Sequence, residues 1–508
     1  MDFITNPGFP YLSVILLTPL VGALALIFVP REEVWTIKAI AAVSTLVSLI
    51  LSVLIFLAYD QTIGGMQFKE DILWIKDLGV SYSLGVDGIS LPLLLLTNLI
   101  GFSAVYASWN NKDRVKEFFI LLLILITGVM GTFVTRDLFI FLLFYEVVVI
   151  PIYIMVIIWG STKRVTKEYA GMKLTIYLLI GSAFLLAGMI ALYVNAYQLT
   201  GVRTMDIESL MLVPFTEHFQ IIGFLLLGIG FCTLISMWPF HSWSPDGYAG
   251  APTAVSMIHA GVLKKIGGYG LIRIGLFVLP AGAKFWAPLI AVLAVGNVVY
   301  AAVICLVQKD LKYVVGYSSV SHMGYVLIGI AALNVISING AIAQMFAHGV
   351  MAALFFAMIG NLYEKSHTRN IPDFGGLANQ VPRLAVGFML AGLASLGLPG
   401  LASFPAEFTI FVGAFGVYQV FTIIAISGII FTAVYILRML GNVLFGPRQQ
   451  QWDKLTDLKG PEWVPLIVLG TVLVTFGIFP YLLMDPINTG VTSLFARTGL
   501  STVIGGGF

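Results

Sequence analysis

The chain has 508 residues, 59% of them hydrophobic and only 10% charged, with a mean hydropathy of +0.98. A soluble domain carries about 25% charged residues, so no stretch remains in which one could fold. A net charge of +2 gives no footprint for nucleic acid, and two cysteines, Cys232 and Cys305, are too few for an iron–sulfur cluster or a disulfide framework.

The N-terminus lacks a basic region and a small-residue cleavage site, so no leader is expected to be removed. A membrane helix needs about 20 mostly apolar residues. By that measure the chain is an all-α polytopic membrane protein with 14 segments. They lie near 11–30, 35–59, 84–109, 117–135, 137–159, 172–197, 218–240, 250–275, 285–308, 311–333, 337–362, 383–418, 421–445 and 462–484. Barrel strands would instead read as short alternating stretches.

Lys and Arg in the connections set the orientation. The odd connections hold sixteen of the 27 basic residues, among them Arg31, Lys112, Lys163, Lys309, Lys312 and Arg448. The even connections and tail hold only Lys69, Lys76, Arg136, Arg203, Arg273, Lys284 and Arg497. This bias places the odd connections in the cytoplasm of a bacterial inner membrane and both termini outside.

Two segments are interrupted alike. The seventh runs through Met237-Trp238-Pro239-Phe240-His241 to Pro245, the twelfth through Gly397-Leu398-Pro399-Gly400 to Pro405. Proline removes a backbone donor, which is tolerated at bilayer depth only where protein or water satisfies the freed carbonyl. Broken helices five apart are what two inverted five-helix repeats produce; two ordinary proline kinks are the competing reading. The expected units are 1–116 (helices one to three), 117–275 (first repeat, helices four to eight), 285–445 (second repeat, nine to thirteen) and 446–508 (helix fourteen and tail).

Glu146 and Glu407 lie deep inside apolar runs, whereas most other acids fall in connections or at helix starts, where Asp137 is placed to cap a helix. A charge at the bilayer centre costs about 2.5–3.5 kcal/mol on insertion scales, so it marks function or a compensating partner. The bland alternative is a protonated Glu held by a hydrogen bond between helices. Lys264 and Lys265 sit midway along the eighth segment, out of snorkelling reach of either interface, and suit a switchable proton carrier. His259, His322 and His348 also lie in apolar helices, and His241 follows the broken seventh helix. A lone buried histidine is usually a satisfied core residue; three beside two Glu and two Lys suggest a polar chain. Lys173, one turn into the sixth segment, reads equally well as an interfacial anchor. No phosphate loop, metal-ligand spacing or Ser/His/Asp arrangement is found, and Gly267-Gly268-Tyr269-Gly270 reads as close helix packing. No cofactor is therefore expected in this chain.

Several motifs resemble the proton-translocating antiporter-like family, most closely the subunit M (chain 4) group of bacterial respiratory complex I, the NADH:quinone oxidoreductase. They are His241-Ser242-Trp243-Ser244-Pro245-Asp246, Ala251-Pro252-Thr253-Ala254, Lys265-Ile266-Gly267-Gly268-Tyr269-Gly270, Gln308-Lys309-Asp310-Leu311-Lys312, Tyr317-Ser318-Ser319-Val320-Ser321-His322-Met323-Gly324-Tyr325, and Gly397-Leu398-Pro399-Gly400 with Glu407. The resemblance runs from about 80 to 445. It implies fourteen helices, a proton path driven by quinone reduction, related antiporter-like subunits as partners, and flavin, iron–sulfur clusters and quinone in those partners. Position by position it implies that Glu146 modulates a lysine beside it. Lys265 becomes the central lysine, His322 and His348 the polar axis, Glu407 the outlet residue and Lys173 the basic residue of the sixth helix.

One position departs. Where the family carries a lysine before the broken seventh helix, this chain has Leu234, so Glu146 lacks its expected counter-ion. The unusual second lysine, Lys264, is a candidate to replace it. An Mrp-type cation/proton antiporter subunit, a membrane-bound hydrogenase subunit and a non-pumping scaffold remain the alternatives.

Overall fold

The computed structural model describes residues 8–498. It is helical nearly throughout, because lipid offers backbone N–H and C=O groups no partner and each segment must satisfy them within itself. The first half contains α1 (Tyr11–Phe28), α2 (Val34–Ala58), α3 (Ser90–Ala107), α4 (Val115–Val134), α5 (Leu138–Trp159), α6 (Lys167–Thr200), α7 (Ile207–Leu210), α8 (Glu217–Leu234), α9 (Trp243–Gly250), α10 (Thr253–Ile258) and α11 (Lys264–Gly270). The second half contains α12 (Pro280–Val307), α13 (Leu311–Ala331), α14 (Val335–Ser366), α15 (Leu377–Gln380), α16 (Pro382–Ser395), α17 (Ser403–Phe415), α18 (Gln419–Leu440), α19 (Trp463–Ile478) and α20 (Tyr481–Thr498).

Among the described residues, 12 helices are long and apolar enough to cross a membrane. Two expected segments take other forms. The eighth is one helical run from Thr253 to Leu276, divided by π turns at His259–Leu263 and Leu271–Leu276. The twelfth is the pair α16 and α17, and the seventh breaks between α8 and α9, both where the sequence predicts. At these breaks Ser236, Gly397 and Gly400 have positive φ, and the Trp238–Pro239 peptide is cis.

Polarity decides which helices go inside. α3, α13 and α14 are almost wholly enclosed, while α1, α2, α6 and α18 show broad apolar surfaces of the kind lipid covers. Side-chain caps fix several helix starts. Asp137 accepts from Phe139 and Ile140 N–H at the head of α5, as expected, and Asp310 accepts from Lys312 and Tyr313 N–H at the head of α13. The same short ladder recurs beside both caps. Leu138 and Ile207 N–H bond Met205 and Arg136 carbonyls, and Leu311 and Ile371 N–H bond Arg369 and Lys309 carbonyls. One ladder joins even connections and the other odd ones.

Four expectations need correction. Residues 60–86 are not only a linker: Gln67–Ile75 and Val80–Val86 form an antiparallel hairpin, so the third helix starts at Ser90 rather than near 84. The last segment divides at Phe479-Pro480, and α20 turns back onto the start of α3, where Gly88 packs so close to the Pro486 carbonyl that a Cβ would not fit. Arg273, read as a connection residue, is enclosed in the eighth run and pairs with Asp87 at 2.5 Å. Lys312, read likewise, is buried in the first turn of α13. The terminal residues 1–7 and 499–508 lie outside the described residues.

Candidate functional site

The π turn over His259–Leu263 sets up the centre of the molecule. Such a turn spaces the backbone by one extra residue and shifts carbonyls off their regular donors. One of these, Ala260 O, accepts from the Lys265 ammonium at 2.5 Å. Lys265 Nζ also lies 2.9 Å from His348 Nδ1 on α14. The His348 and His322 rings stand 5.5 Å apart, and His322 Nε2 is 3.1 Å from Ser395 Oγ, the last residue of α16. His322 Nδ1 sits 3.2 Å from Glu407 Oε1, off line for a regular hydrogen bond. Glu407 accepts from Gln344 Nε2 at 2.8 Å.

Lys265, His348, His322 and Glu407 thus form one buried file of amine, imidazole and carboxylate. The break of the twelfth segment makes room for it. Gly397, with φ +67°, leaves space that a Cβ would take only 2.8 Å from Glu407 Oε2.

Adjacent helix positions point about 100° apart, so Lys264 faces a different wall. Its ammonium bonds Ser319 Oγ at 3.2 Å and lies 5.3 Å from the Tyr248 ring centroid. Neither lysine has a carboxylate partner among the described residues.

The other expected residues stand apart. Glu146 is partly exposed on the outer side of α5, beside the exposed Val147 and Ile150, and has no ion-pair partner among the described residues. It is therefore not deep in the bundle as the sequence suggested, and Lys264 is bonded elsewhere rather than standing in as its counter-ion. Leu234 is buried at the end of α8. Lys173 pairs with Asp246 at 2.7 Å, and Asp246 also accepts from the Tyr313 hydroxyl. His241 is buried edge-on against Tyr300, with Nδ1 unpartnered, and makes no bond to the central file. His259 stacks on Trp243.

Sequence reasoning missed Ser319, Ser395 and Gln344, the polar groups that join or flank the file. The signal for the first was present in Ser318-Ser319-Val320-Ser321, a hydroxyl-rich stretch in a segment that has to be enclosed.

Fold and site together define a polytopic membrane protein with an ionisable file buried beside the break of its twelfth segment. Residues 135–432 match the model of the NADH:quinone oxidoreductase/Mrp antiporter transmembrane family, and the chain belongs to that family. It is 36% identical over 504 residues to NADH-quinone oxidoreductase subunit M of Rhodobacter capsulatus, covering 95% of this chain and 96% of the relative. A chain of respiratory complex I from Thermus thermophilus superposes with a TM-score of 0.86 at 26% identity, covering 95% of this chain and 99% of that one. A chain of the Mrp complex from Dietzia shares the fold at a TM-score of 0.83 and 19% identity, covering 99% of this chain and 100% of that one. The relatives are membrane subunits of multi-subunit complexes, and the chain is an antiporter-like subunit of this kind.

Proposed function

We propose that this chain is the proton-translocating subunit of a complex I type NADH:quinone oxidoreductase in the bacterial inner membrane, driven by quinone reduction in partner subunits. The run Thr253–Leu276 and the pair α16–α17 complete fourteen crossings, and the odd connections face the cytoplasm. Protons pass through Lys264 and Lys265 to His348, His322 and Glu407, with water bridging the gap between the rings. The observation that carries this reading is the pair of close contacts, Lys265–His348 at 2.9 Å and His322–Glu407 at 3.2 Å, on either side of that gap.

Chemically the file works by alternate charging. Lys265 meets His348 at one end of the file and His322 meets Glu407 at the other, so each proton carrier has a partner within reach. Displacing a proton from Lys265 to His348 therefore moves positive charge toward Glu407 and readies the lysine for the next one. Glu146, on the lateral face, acts from the side where a neighbouring subunit packs. Lys173 with Asp246, and His241, flank the path as positioning groups. Flavin, iron–sulfur clusters and quinone belong to the partners.

The test is proton pumping per quinone reduced in membrane vesicles that contain the assembled complex. Lys265→Met and Glu407→Gln are expected to abolish pumping while leaving the complex assembled. Normal pumping in both would leave a scaffold role. Flavin and iron–sulfur absorbance co-purifying with the chain separates the redox-driven reading from an Mrp-type antiporter of the same fold.

A further inference from the structure

An open cavity borders the loops near Lys312, on a side of the bundle apart from the central file. It measures about 1110 Å³ and lies among odd connections, bordered by Ser108–Arg114, Ile158–Ser161 and the Ala251–Thr253 corner that joins α9 to α10. Its lining mixes carboxylates (Asp113, Glu364, Glu462) with Lys167, Lys365 and Lys312. Most of these charges have solvent or an ion pair; Lys365, for example, meets Glu462 at 2.6 Å.

Lys312 differs. Its side chain is enclosed, and its ammonium bonds Ala251 O at 2.6 Å, Tyr248 O at 3.3 Å and Ser256 Oγ at 3.2 Å, with no carboxylate in contact. The charged groups facing it are Asp310 at the head of its own helix and Arg369 from the connection beyond α14, and these two pair with each other at 3.3 Å. On the far side of the same residue, Tyr248, stands Lys264. The Tyr248 hydroxyl is buried with no hydrogen-bond partner among the described residues, and Ser319 holds the Lys264 ammonium at 3.2 Å. Lys312 and Lys264 are therefore set against one tyrosine, the first at its backbone carbonyl and lining the cavity, the second over its ring and next in the chain to Lys265 of the file.

We propose that Lys312 is the inner gate of the proton path, loaded from this cavity and discharging through the Tyr248–Ser319 wall to Lys264. The inference rests on the proton-path reading above. In each cycle the Lys312 ammonium gives one proton to water or hydroxyl on the Lys264 side and becomes a neutral amine. The Lys264 amine becomes the ammonium, and Lys312 is recharged by a proton from cavity water. The three acceptors around Lys312 hold it in line with the wall and, being uncharged, do not trap the proton.

A purely structural lysine, one that only braces the Ala251 corner, makes a different prediction. Arginine keeps the charge and the donors but does not release a proton. In inverted vesicles the Lys312→Arg complex is expected to assemble, reduce quinone and lose proton uptake, as Lys312→Met does. Retained pumping in Lys312→Arg overturns the gate. A second arm does not depend on folding of a lysine variant. Cys232 and Cys305 are both buried, so Ser161→Cys offers the chain's accessible thiol on the cavity wall. Labelling the assembled Ser161→Cys complex with a cationic methanethiosulfonate reagent is expected to stop proton uptake, with labelled wild type as the control. Uptake that survives labelling overturns the cavity as the inlet. Lys265→Met separates the two levels. If it pumps normally, the relay itself fails; if it is inactive while Lys312→Arg and labelled Ser161→Cys pump, only the gate fails.

Discussion

Gly397→Ala tests the outlet end of the file with a single methyl group. A residue with a side chain in the left-handed region costs about 1–2 kcal/mol. The new Cβ would lie 2.8 Å from Glu407 Oε2, closer than real Cβ contacts allow, and the carboxylate, being the free end of a side chain, is what moves. Moving it forfeits the Gln344 bond and the contact to His322, and a hydrogen bond to a charged group is worth about 1.5–3 kcal/mol. The total is roughly 2.5–5 kcal/mol, part strain and part lost function. Gly400→Ala separates the parts. It also has positive φ, but its Cβ would meet nothing within 4 Å, so it carries backbone strain alone. Pumping per quinone reduced should therefore fall about ten- to a hundredfold further in Gly397→Ala than in Gly400→Ala, since each 1.36 kcal/mol is tenfold. Equal pumping by the two variants would refute the idea that the Glu407 carboxylate must sit under Gly397.

Other outcomes follow from the same geometry. Arg273→Leu strands the buried Asp87 carboxylate and should destabilise the chain by about 3–5 kcal/mol, read as thermal unfolding in detergent. Combining it with Asp87→Asn, which keeps the bonds to Ile89 and Ser90 N–H, should recover much of that loss. Lys264→Leu should impair pumping as severely as Lys265→Leu, and Ser319→Ala should weaken it less, because water can take the place of the hydroxyl that meets the Lys264 ammonium. Beside the hairpin, burial acts to raise the Glu208 carboxyl, but Arg497, Lys69 and Arg136 outweigh it and hold the group below the usual carboxylate range. Its folded value is thus the depressed one, so its contribution is present above the ordinary carboxylate range and is lost as pH falls through the lowered folded value. Amide protection in α20, tied down by Arg497–Glu208 at 2.6 Å, should fall on acidification in wild type once rates are corrected for the intrinsic pH dependence of exchange, and be low at all pH values in Glu208→Gln.

Much of the fold was legible because the bilayer permits so few solutions. Long apolar stretches gave the helices, and Pro239, Gly397 and Gly400 gave the two breaks within a few residues. The central file was legible for the same reason: Lys265, His322, His348 and Glu407 have no cheap place except beside one another. Glu146 was misjudged because α5 is apolar on every side. With no polar face to contrast, hydropathy does not separate the stripe that meets α4 and α6 from the stripe holding Val147 and Ile150. Lys312 and Arg273 were misplaced because charge near a predicted helix end reads as a connection, whereas carbonyls of the Ala251 corner and the Asp87 carboxylate draw them inside. The hairpin of 67–86 went unseen because a run such as Gln67-Phe68-Lys69-Glu70-Asp71 alternates poorly and a bulge interrupts its register. Ser395 and Gln344 carry no charge and repeat no pattern, so only their position beside His322 and Glu407 distinguishes them.

The account stands on protons crossing from the lysine side to Glu407 through His322, the only imidazole in contact with that carboxylate among the described residues. The direct measurement is the proton-to-electron ratio of the reconstituted complex carrying His322→Leu, taken with a sodium ionophore present. The account predicts continued quinone reduction with a lowered ratio; an unchanged ratio at the wild-type turnover rate would contradict it.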